Sequence, residues 1–223
     1  PLRANVVTAW LGPRMHVVHY PVRGGEWMNV VAVVHGVLGQ GHGGDAGSDP
    51  QGWTHVARAA DLLRALGPAS TDLLDMVNAV SAWSLWALND RPAMVGAHEH
   101  AQGRVALVGD AAHPLRPYLA QGAAMAMEDA WTIGRVLKPA PAVNDWPAVL
   151  ARFADTRWQR NARVQQHSQR NGRIFHATGL VRWGRDTAMR WLGEGLLDNP
   201  WLYDGPPEPE QDPTPSPRSQ RKT

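Results

Sequence analysis

Cysteine is the most informative absence, because none occurs among the 223 residues of the chain. Its absence excludes disulfides, thiolate metal ligands, iron–sulfur clusters and thiol nucleophiles. Long apolar runs are also missing, and a membrane-spanning helix needs roughly 18–20 such residues. Basic and acidic residues are nearly balanced, at 22 and 20, whereas a phosphate-binding surface needs a basic excess. We therefore expect neither a membrane nor a nucleic acid as a partner.

The start of the chain lacks the features of an export signal. The first residue is Pro1, and no basic segment followed by an apolar stretch and small residues comes after it. We therefore expect a cytoplasmic protein. Because the first residue is not Met, we interpret the chain as a piece of a longer protein.

The first half of the chain predicts a small sheet followed by helices. Apolar and β-branched runs separated by Gly-Pro and Gly-Gly are typical of a three-stranded antiparallel meander, here between residues 5 and 34. Helical spacing of apolar residues predicts helices over 54–66 and 71–79, and alternation over 83–88 predicts a strand.

A glycine-rich segment separates the predicted meander from the first helix. The dinucleotide-binding pattern G-x-G-x-x-G occurs in it at Gly39, Gly41 and Gly44. That pattern needs a helix to begin at the third glycine, and the residues that follow, Asp-Ala-Gly-Ser-Asp-Pro over 45–50, do not start one promptly. We therefore predict a long flexible loop over 36–52.

The second half has a different character. A continuous apolar run over 103–109 is typical of a parallel strand that is covered on both faces. Periodicity predicts helices over 121–137 and 148–170, with further helical pieces over 174–197. Proline-rich residues over 204–223 have little apolar surface to bury and predict a disordered tail.

The loop between the predicted parallel strand and the next helix carries the chemistry. Ligands of open α/β sheets bind at the carboxyl ends of the strands, where the Asp110 carboxylate can accept hydrogen bonds from polyol hydroxyls. At the helix start, Gly122, Ala123 and Ala124 leave the backbone N–H groups uncovered, facing an electron-rich ligand atom. A polyol at one end and an electron-rich edge at the other describe a flavin. The alternative is that Asp110 caps a helix and the small residues only allow a close helix contact.

This segment resembles the second flavin-binding motif of the flavin-dependent aromatic hydroxylases, the monooxygenases with the p-hydroxybenzoate hydroxylase fold. The resemblance runs from about residue 5 to residue 203 and is closest to the salicylate and 3-hydroxybenzoate hydroxylase branch. The blocks that carry it are His113-Pro114, Pro117-Tyr118, Ala120-Gln121-Gly122-Ala123, Glu128-Asp129-Ala130, Trp10-Leu11-Gly12-Pro13, Tyr20-Pro21-Val22-Arg23, Asn29-Val30-Val31-Ala32-Val33 and Asp90-Arg91-Pro92.

The resemblance implies an α/β fold that is an incomplete version of the hydroxylase fold. Residues 1–96 would form the substrate-binding sheet with its helices, 97–140 the second FAD-binding motif, 141–203 the C-terminal helices and 204–223 the tail. The N-terminal FAD-binding half of the family, with its true G-x-G-x-x-G, its acidic ribose-binding residue and its later Asp-Gly motif, has no counterpart in the sequence.

The resemblance also implies an activity. It is that of an FAD-dependent monooxygenase, which hydroxylates a phenolic or aromatic acid with O2 and takes its electrons from NADH or NADPH. The residues implied to bind or deprotonate the phenol are His35 and Gln121. Those implied to bind the cofactor are Gly109, Asp110, Pro117, Gly122, Ala123 and Ala124.

An alternative interpretation of the chain is non-catalytic. On it, the chain is a truncated fragment of the same fold that needs a separate N-terminal chain or serves only as an interaction surface. Self-association stays open on either interpretation.

Histidines offer further candidates. His98 and His100 have the spacing of metal ligands, but no third ligand is apparent beside them, so we predict no metal site. His113 is expected to hold its loop by hydrogen bonds. A histidine at the end of a strand, such as His35, is commonly structural, and this alternative stays open.

Overall fold

The computed structural model describes residues 5–36, 55–138, 145–193, 195 and 199–209. The chain divides into two compact units, and each is described by itself. Unit 1 consists of residues 1–88 and 170–198, and unit 2 consists of residues 89–169 and 199–223.

The sheet of unit 1 has the predicted meander topology. Strands β1 (Thr8–Gly12), β2 (Met15–Val22) and β3 (Trp27–Val34) pair antiparallel in that order. Because successive side chains of a strand point to opposite faces, Met15 and Val17 face the apolar core of the unit and His16 faces the other side.

Two short strands and two helices complete the first part of unit 1. They are β4 (His55–Ala57), α1 (Ala59–Leu66), α2 (Thr71–Ala79) and β5 (Trp83–Leu85). Side chains of both helices pack on Met15 and Val17 of the sheet, and the buried ones are Leu66, Leu73, Met76 and Val77.

The helix predicted over 54–66 is wrong at its start. Residues 55–57 form β4 and pair antiparallel with β5, so the helix begins only at Ala59. Sheet pairing with a segment about thirty residues away overrides the local helical pattern. The helix ends where Gly67 adopts a φ of +64°, a conformation that favours glycine.

Unit 2 contains a hairpin in place of the predicted buried strand. Strands β6 (Ala101–Gln102) and β7 (Val105–Ala106) pair antiparallel with each other. The parallel strand expected over 103–109 is therefore wrong. Its apolar side chains are open to solvent, with Val105 64% and Val108 45% exposed. A parallel strand needs neighbours of its own direction, and the described part of unit 2 offers this run only β6.

The main helices of unit 2 agree with the predicted periodicity. Helix α3 covers Gly122–Val136, and α4 covers Trp146–Phe175, with its last turns belonging to unit 1. They pack through two small apolar clusters, one around Met125 and Val164 and one around Val136, Val149 and Phe153.

Helix α5 (Gly179–Leu192) falls within the segment predicted to be helical and lies in unit 1. None of the helices in the described ranges is both long and apolar enough to cross a membrane. The glycine-rich loop and most of the predicted tail lie outside the described residues.

Candidate functional site

The turn that carries Asp110 is fixed by hydrogen bonds on both of its sides. Gly109 has a φ of +55° and opens a short 3₁₀ turn over Gly109–Ala111. Its carbonyl accepts the N–H groups of Ala112 and His113, each at 2.9 Å. Its own N–H donates to Oδ2 of Asp129 at 3.0 Å. The Asp110 side chain projects from this rigid turn and is exposed.

The N-terminus of α3 lies beside that turn. Its N-cap residue, Gln121, makes no side-chain capping hydrogen bond, and a Cβ built on Gly122 would meet Asp110 Oδ1, at 3.9 Å. Ala123 is exposed, and Ala124 is half-buried. The N-cap position of this helix is occupied by Gln121 and not by Asp110.

The loop between the turn and α3 is tied down at its middle. Arg116 pairs with the carboxylate of Asp90, and its carbonyl accepts the Ser168 hydroxyl at 2.9 Å. Pro117, next to it, is exposed. Ala120 has a φ of +52°, a conformation that residues with a Cβ rarely adopt. Such conformations cluster at functional sites.

Beneath the turn lies a fully buried carboxylate, Asp129, on α3. His113 Nε2 lies 2.6 Å from its Oδ2, and Arg157 Nε donates to its Oδ1 at 2.9 Å. Burial by itself raises the pKa of Asp129, but the hydrogen bonds from His113, Gly109 and Arg157 outweigh it and lower the pKa to about 2. His113 thus holds its loop, as expected, through Asp129.

Two arginines of α4 form ion pairs with the adjacent residues Glu128 and Asp129 of α3. Arg157 donates to Glu128 at 2.5 Å as well as to Asp129, and Arg160 binds both oxygens of Glu128 at 2.7 Å. Burial raises the pKa of Glu128, and the contacts with Arg160 and Arg157 outweigh it and lower it. The two helices are therefore joined by buried charges as well as by apolar packing.

His100 extends the network from the hairpin. Asn161 accepts a hydrogen bond from Arg157 at Oδ1, so its Nδ2 is the group that donates to His100 Nε2, at 2.8 Å. His100 is fully buried, and burial lowers its pKa to about 4. His100 is therefore a neutral imidazole with its proton on Nδ1.

His100, His113 and Asp129 place one potential ligand atom each within 4.8 Å of one another, as a metal site would. Both oxygens of Asp129, however, already accept hydrogen bonds, and one comes from the Arg157 guanidinium. A cation would have to compete with that fixed positive charge. The donor set therefore fits a hydrogen-bonded support better than a metal centre.

His98 and His100 have the spacing of metal ligands, but they lie in different surroundings in unit 2, because His98 is exposed and His100 is buried. Sequence reasoning missed the role of Asp129. A usable signal was present, because Met125, Asp129, Thr132 and Val136 share the buried face of α3.

His35, the other predicted catalytic residue, lies in unit 1. It follows β3, is exposed, and donates its backbone N–H to the Arg14 carbonyl at 2.9 Å. Its ring lies edge-on against His176, with centroids 4.6 Å apart, and His176 Nε2 lies 2.7 Å from His16 Nδ1. Gln121 belongs to unit 2.

Comparison with known proteins defines the class of this fold and site. The family model described as an FAD binding domain matches residues 45–174, and the chain belongs to this family. Together with the relatives and solved structures below, this match confirms the predicted resemblance to the flavin-dependent aromatic hydroxylases and the predicted α/β fold class.

The relatives are more particular. The chain is 36% identical over 206 residues to 3-hydroxybenzoate 6-hydroxylase of Polaromonas naphthalenivorans (strain CJ2), covering 91% of the chain and 47% of that protein. It is 34% identical over 206 residues to the enzyme of the same name from Klebsiella oxytoca, covering 91% and 48%. The chain therefore spans about half the length of these curated relatives.

Solved structures show the same fold. A salicylate hydroxylase substrate complex matches with a TM-score of 0.68 and 28% identity, over 84% of this chain and 46% of that one. HpxO of Klebsiella pneumoniae, complexed with FAD and uric acid, matches with a TM-score of 0.63 and 20% identity, over 89% and 48%.

The residues of the turn and of the helix start fit part of an FAD site. The Asp110 carboxylate is exposed and can accept hydrogen bonds, and the uncapped first turn of α3 offers backbone donors that no side chain at Gly122 covers. Acceptor and donors lie side by side, as a ligand with hydroxyls and an electron-rich ring edge requires.

Proposed function

We propose that the chain supplies the substrate-binding sheet and the second FAD-binding motif of a monooxygenase. This enzyme hydroxylates a phenolic or aromatic acid with O2 and takes its electrons from NADH or NADPH. The observation that carries the proposal is the exposed Asp110 carboxylate beside the open N-terminus of α3. The hydroxybenzoate hydroxylases among the relatives support the substrate class. The cytoplasm is the proposed location, in keeping with the absence of cysteine.

The proposed cofactor-binding residues divide by chemistry. Asp110 accepts hydrogen bonds from the hydroxyls of the ligand. The hydrogen-bonded backbone of Gly109 holds Asp110 in position for this. The N–H groups of Gly122, Ala123 and Ala124 face electron-rich atoms. Pro117 adds an exposed apolar surface. When bound, FAD supplies the redox chemistry that the side chains cannot.

The proposed catalytic residues act on the substrate. The exposed imidazole of His35 takes the proton from the phenolic hydroxyl, which enriches the ring in electrons. The alternative candidate is Gln121, whose side-chain amide makes no capping hydrogen bond and would bind the phenolic hydroxyl instead.

The first experiment measures FAD binding by the chain and by a reconstituted pair. The adenosine and pyrophosphate sites of the family belong to its N-terminal half, so the chain alone should bind FAD weakly and lose it on gel filtration. Adding that half in trans should restore a flavin that co-elutes with protein. Strong flavin retention by the chain alone would contradict the assignment of the adenosine and pyrophosphate sites to the N-terminal half.

Within the reconstituted pair, Asp110→Ala should lower FAD affinity by about 1.5–3 kcal/mol, roughly ten- to a hundredfold, because a hydrogen-bonded charge is removed. The matched control is Asp155→Ala, at an exposed position of α4 in the same unit. It should bind FAD like the parent. Equal affinities for Asp110→Ala and the parent would show that Asp110 does not contact the ligand.

The second candidate function is an interaction surface for a separate N-terminal chain. The exposed apolar side chains of Val105, Leu107 and Val108 favour it, because an unpaired strand edge is a template for pairing with another strand. Val108→Glu should weaken co-elution of the two halves. If it does not, this edge is not the contact. Self-association of the chain, measured by light scattering, is the competing outcome.

A further inference from the structure

We propose that Asp129 is a positioning residue of the FAD site, whose buried carboxylate holds the Gly109–Asp110 turn in register with the N-terminus of α3. The identity of the ligand rests on the proposed function. The mechanism rests only on contacts within unit 2.

The first step is the bond between Asp129 and Gly109. The Gly109 N–H donates to Asp129 Oδ2 at 3.0 Å, and its carbonyl already accepts two N–H groups of the following turn. Gly109 also has a φ of +55°, a conformation that glycine adopts readily and residues with a Cβ do not. The buried carboxylate of Asp129 therefore fixes the backbone from which the exposed Asp110 side chain extends.

The second step is that Asp129 and Gly122 share one helix. Asp129 lies on the buried face of α3, two helical turns after Gly122. The helix therefore connects the anchor of the turn rigidly to the uncapped N–H groups. Loss of the Asp129–Gly109 bond would let the Asp110 carboxylate move relative to the donors that it lies beside.

The third step is the polarity of the surroundings. The groups that contact the Asp129 carboxylate in the described part of unit 2 are donors: the Gly109 amide, the Arg157 Nε and the His113 ring. Because a carboxylate only accepts, it satisfies all of them. In Asp129→Asn one oxygen becomes an NH₂ group, which must face one of these donors. The substitution keeps the size of the side chain and removes at least one of the hydrogen bonds that the carboxylate accepts from Gly109, His113 and Arg157.

The experiment compares amide hydrogen exchange in the parent chain, in Asp129→Asn and in two controls. In Asp129→Asn the Gly109 amide should exchange about tenfold faster or more, relative to other amides of unit 2. Asp155→Asn makes the same chemical change at an exposed site of α4 and should leave Gly109 unchanged. Val149→Ala, in the core of unit 2, should lower stability without a selective effect on Gly109.

The ligand arm uses FAD itself, added to the same chains after reconstitution with the N-terminal half and followed by the NMR shifts of amides 109–111 and 122–124. Affinity should fall about tenfold or more in Asp129→Asn and stay near the parent value in Val149→Ala, although Val149→Ala is also less stable. A merely structural role of Asp129 would lower both affinities in proportion to stability, and that result would overturn the proposal.

Two further outcomes are decisive. A parent that binds FAD, with an Asp129→Asn variant that binds it equally, overturns this inference and leaves the proposed function standing. A parent that shows no shift at these amides, alone or with the N-terminal half, overturns the proposed function and the inference with it. If Asp129→Asn does not fold, the through-hydrogen-bond NMR coupling between the Gly109 amide and the Asp129 carboxyl decides in the parent, and its absence overturns the inference.

Discussion

Gly122 has no side chain, and the space that a side chain would take lies beside the carboxylate of Asp110. Among the described residues beyond its own helical turn, only Asp110 Oδ1 comes within 4 Å of the position that a Cβ on Gly122 would take, and the backbone has no positive φ there. A side chain at this residue would therefore occupy space that the folded chain leaves free. We therefore expect a side chain at this residue to lower ligand affinity and to leave the free energy of unfolding nearly unchanged.

We expect Gly122→Val to lower FAD affinity by about tenfold or more while leaving the unfolding free energy within about 1 kcal/mol of the parent. The branched side chain would cover the first-turn N–H groups that face the ligand. The control is Gly134→Val on the same helix, where none of the described residues outside the adjacent turns lies within 4 Å of an added Cβ, and it should retain normal affinity. A Gly122→Val protein that binds FAD like the parent would place the ligand elsewhere.

At the scale of elements, the contact between α3 and α4 depends on the Arg157 guanidinium. It donates to Asp129, Glu128 and Asn161 from a position with no solvent exposure. A buried ion pair adds little when compared with an apolar replacement of both partners, but removing one partner leaves the other charge buried and unpaired.

Arg157→Met should therefore lower the unfolding free energy by about 3–5 kcal/mol, measured by urea denaturation. The control is Arg163→Met, at an exposed position of α4 where the guanidinium stacks on Trp201 at 3.9 Å. It should cost about 1 kcal/mol or less. Similar losses for the two variants would show that the buried network does not join the helices.

At the scale of the whole molecule, both units contain an imidazole that folding removes from water. His16 in unit 1 and His100 in unit 2 are buried, and burial lowers the pKa of each to about 4 from an ordinary 6.5. Between those two pH values the unfolded chain binds protons that the folded chain does not. Stability therefore rises with pH over this window and falls as the medium is acidified.

We expect stability to drop as the pH falls from about 6.5 to about 4, by roughly 3 kcal/mol for each buried imidazole. Below about pH 4 a further loss follows, because the pKa of Asp129 is lowered to about 2 in the folded protein and its carboxylate binds a proton first in the unfolded chain. Urea denaturation at a series of pH values from above about 6.5 to below about 4 measures both losses of stability. His100→Gln should flatten the upper part of the profile, whereas His98→Gln, at an exposed site, should not. An unchanged profile in His100→Gln would show that folding does not lower the pKa of His100.

The sequence by itself determined the meander, helices α2, α3 and α4, and the family. These features depend on local periodicity, on turn residues such as Gly12-Pro13, and on contiguous motifs such as Gly109-Asp110 and Gln121-Gly122, all of which can be read along the chain. The FAD-binding residues came from the same motifs and stay a proposal.

Only the tertiary structure decided which groups meet. The start of α1 was misread because β4 pairs with β5, and the run over 103–109 was misread because a strand is buried only where neighbours cover it. Asp129, His113 and Arg157 are far apart along the chain, and no spacing rule joins them. Their contact depends on the packing of α3 against α4, which brings a carboxylate, an imidazole and a guanidinium into one buried place.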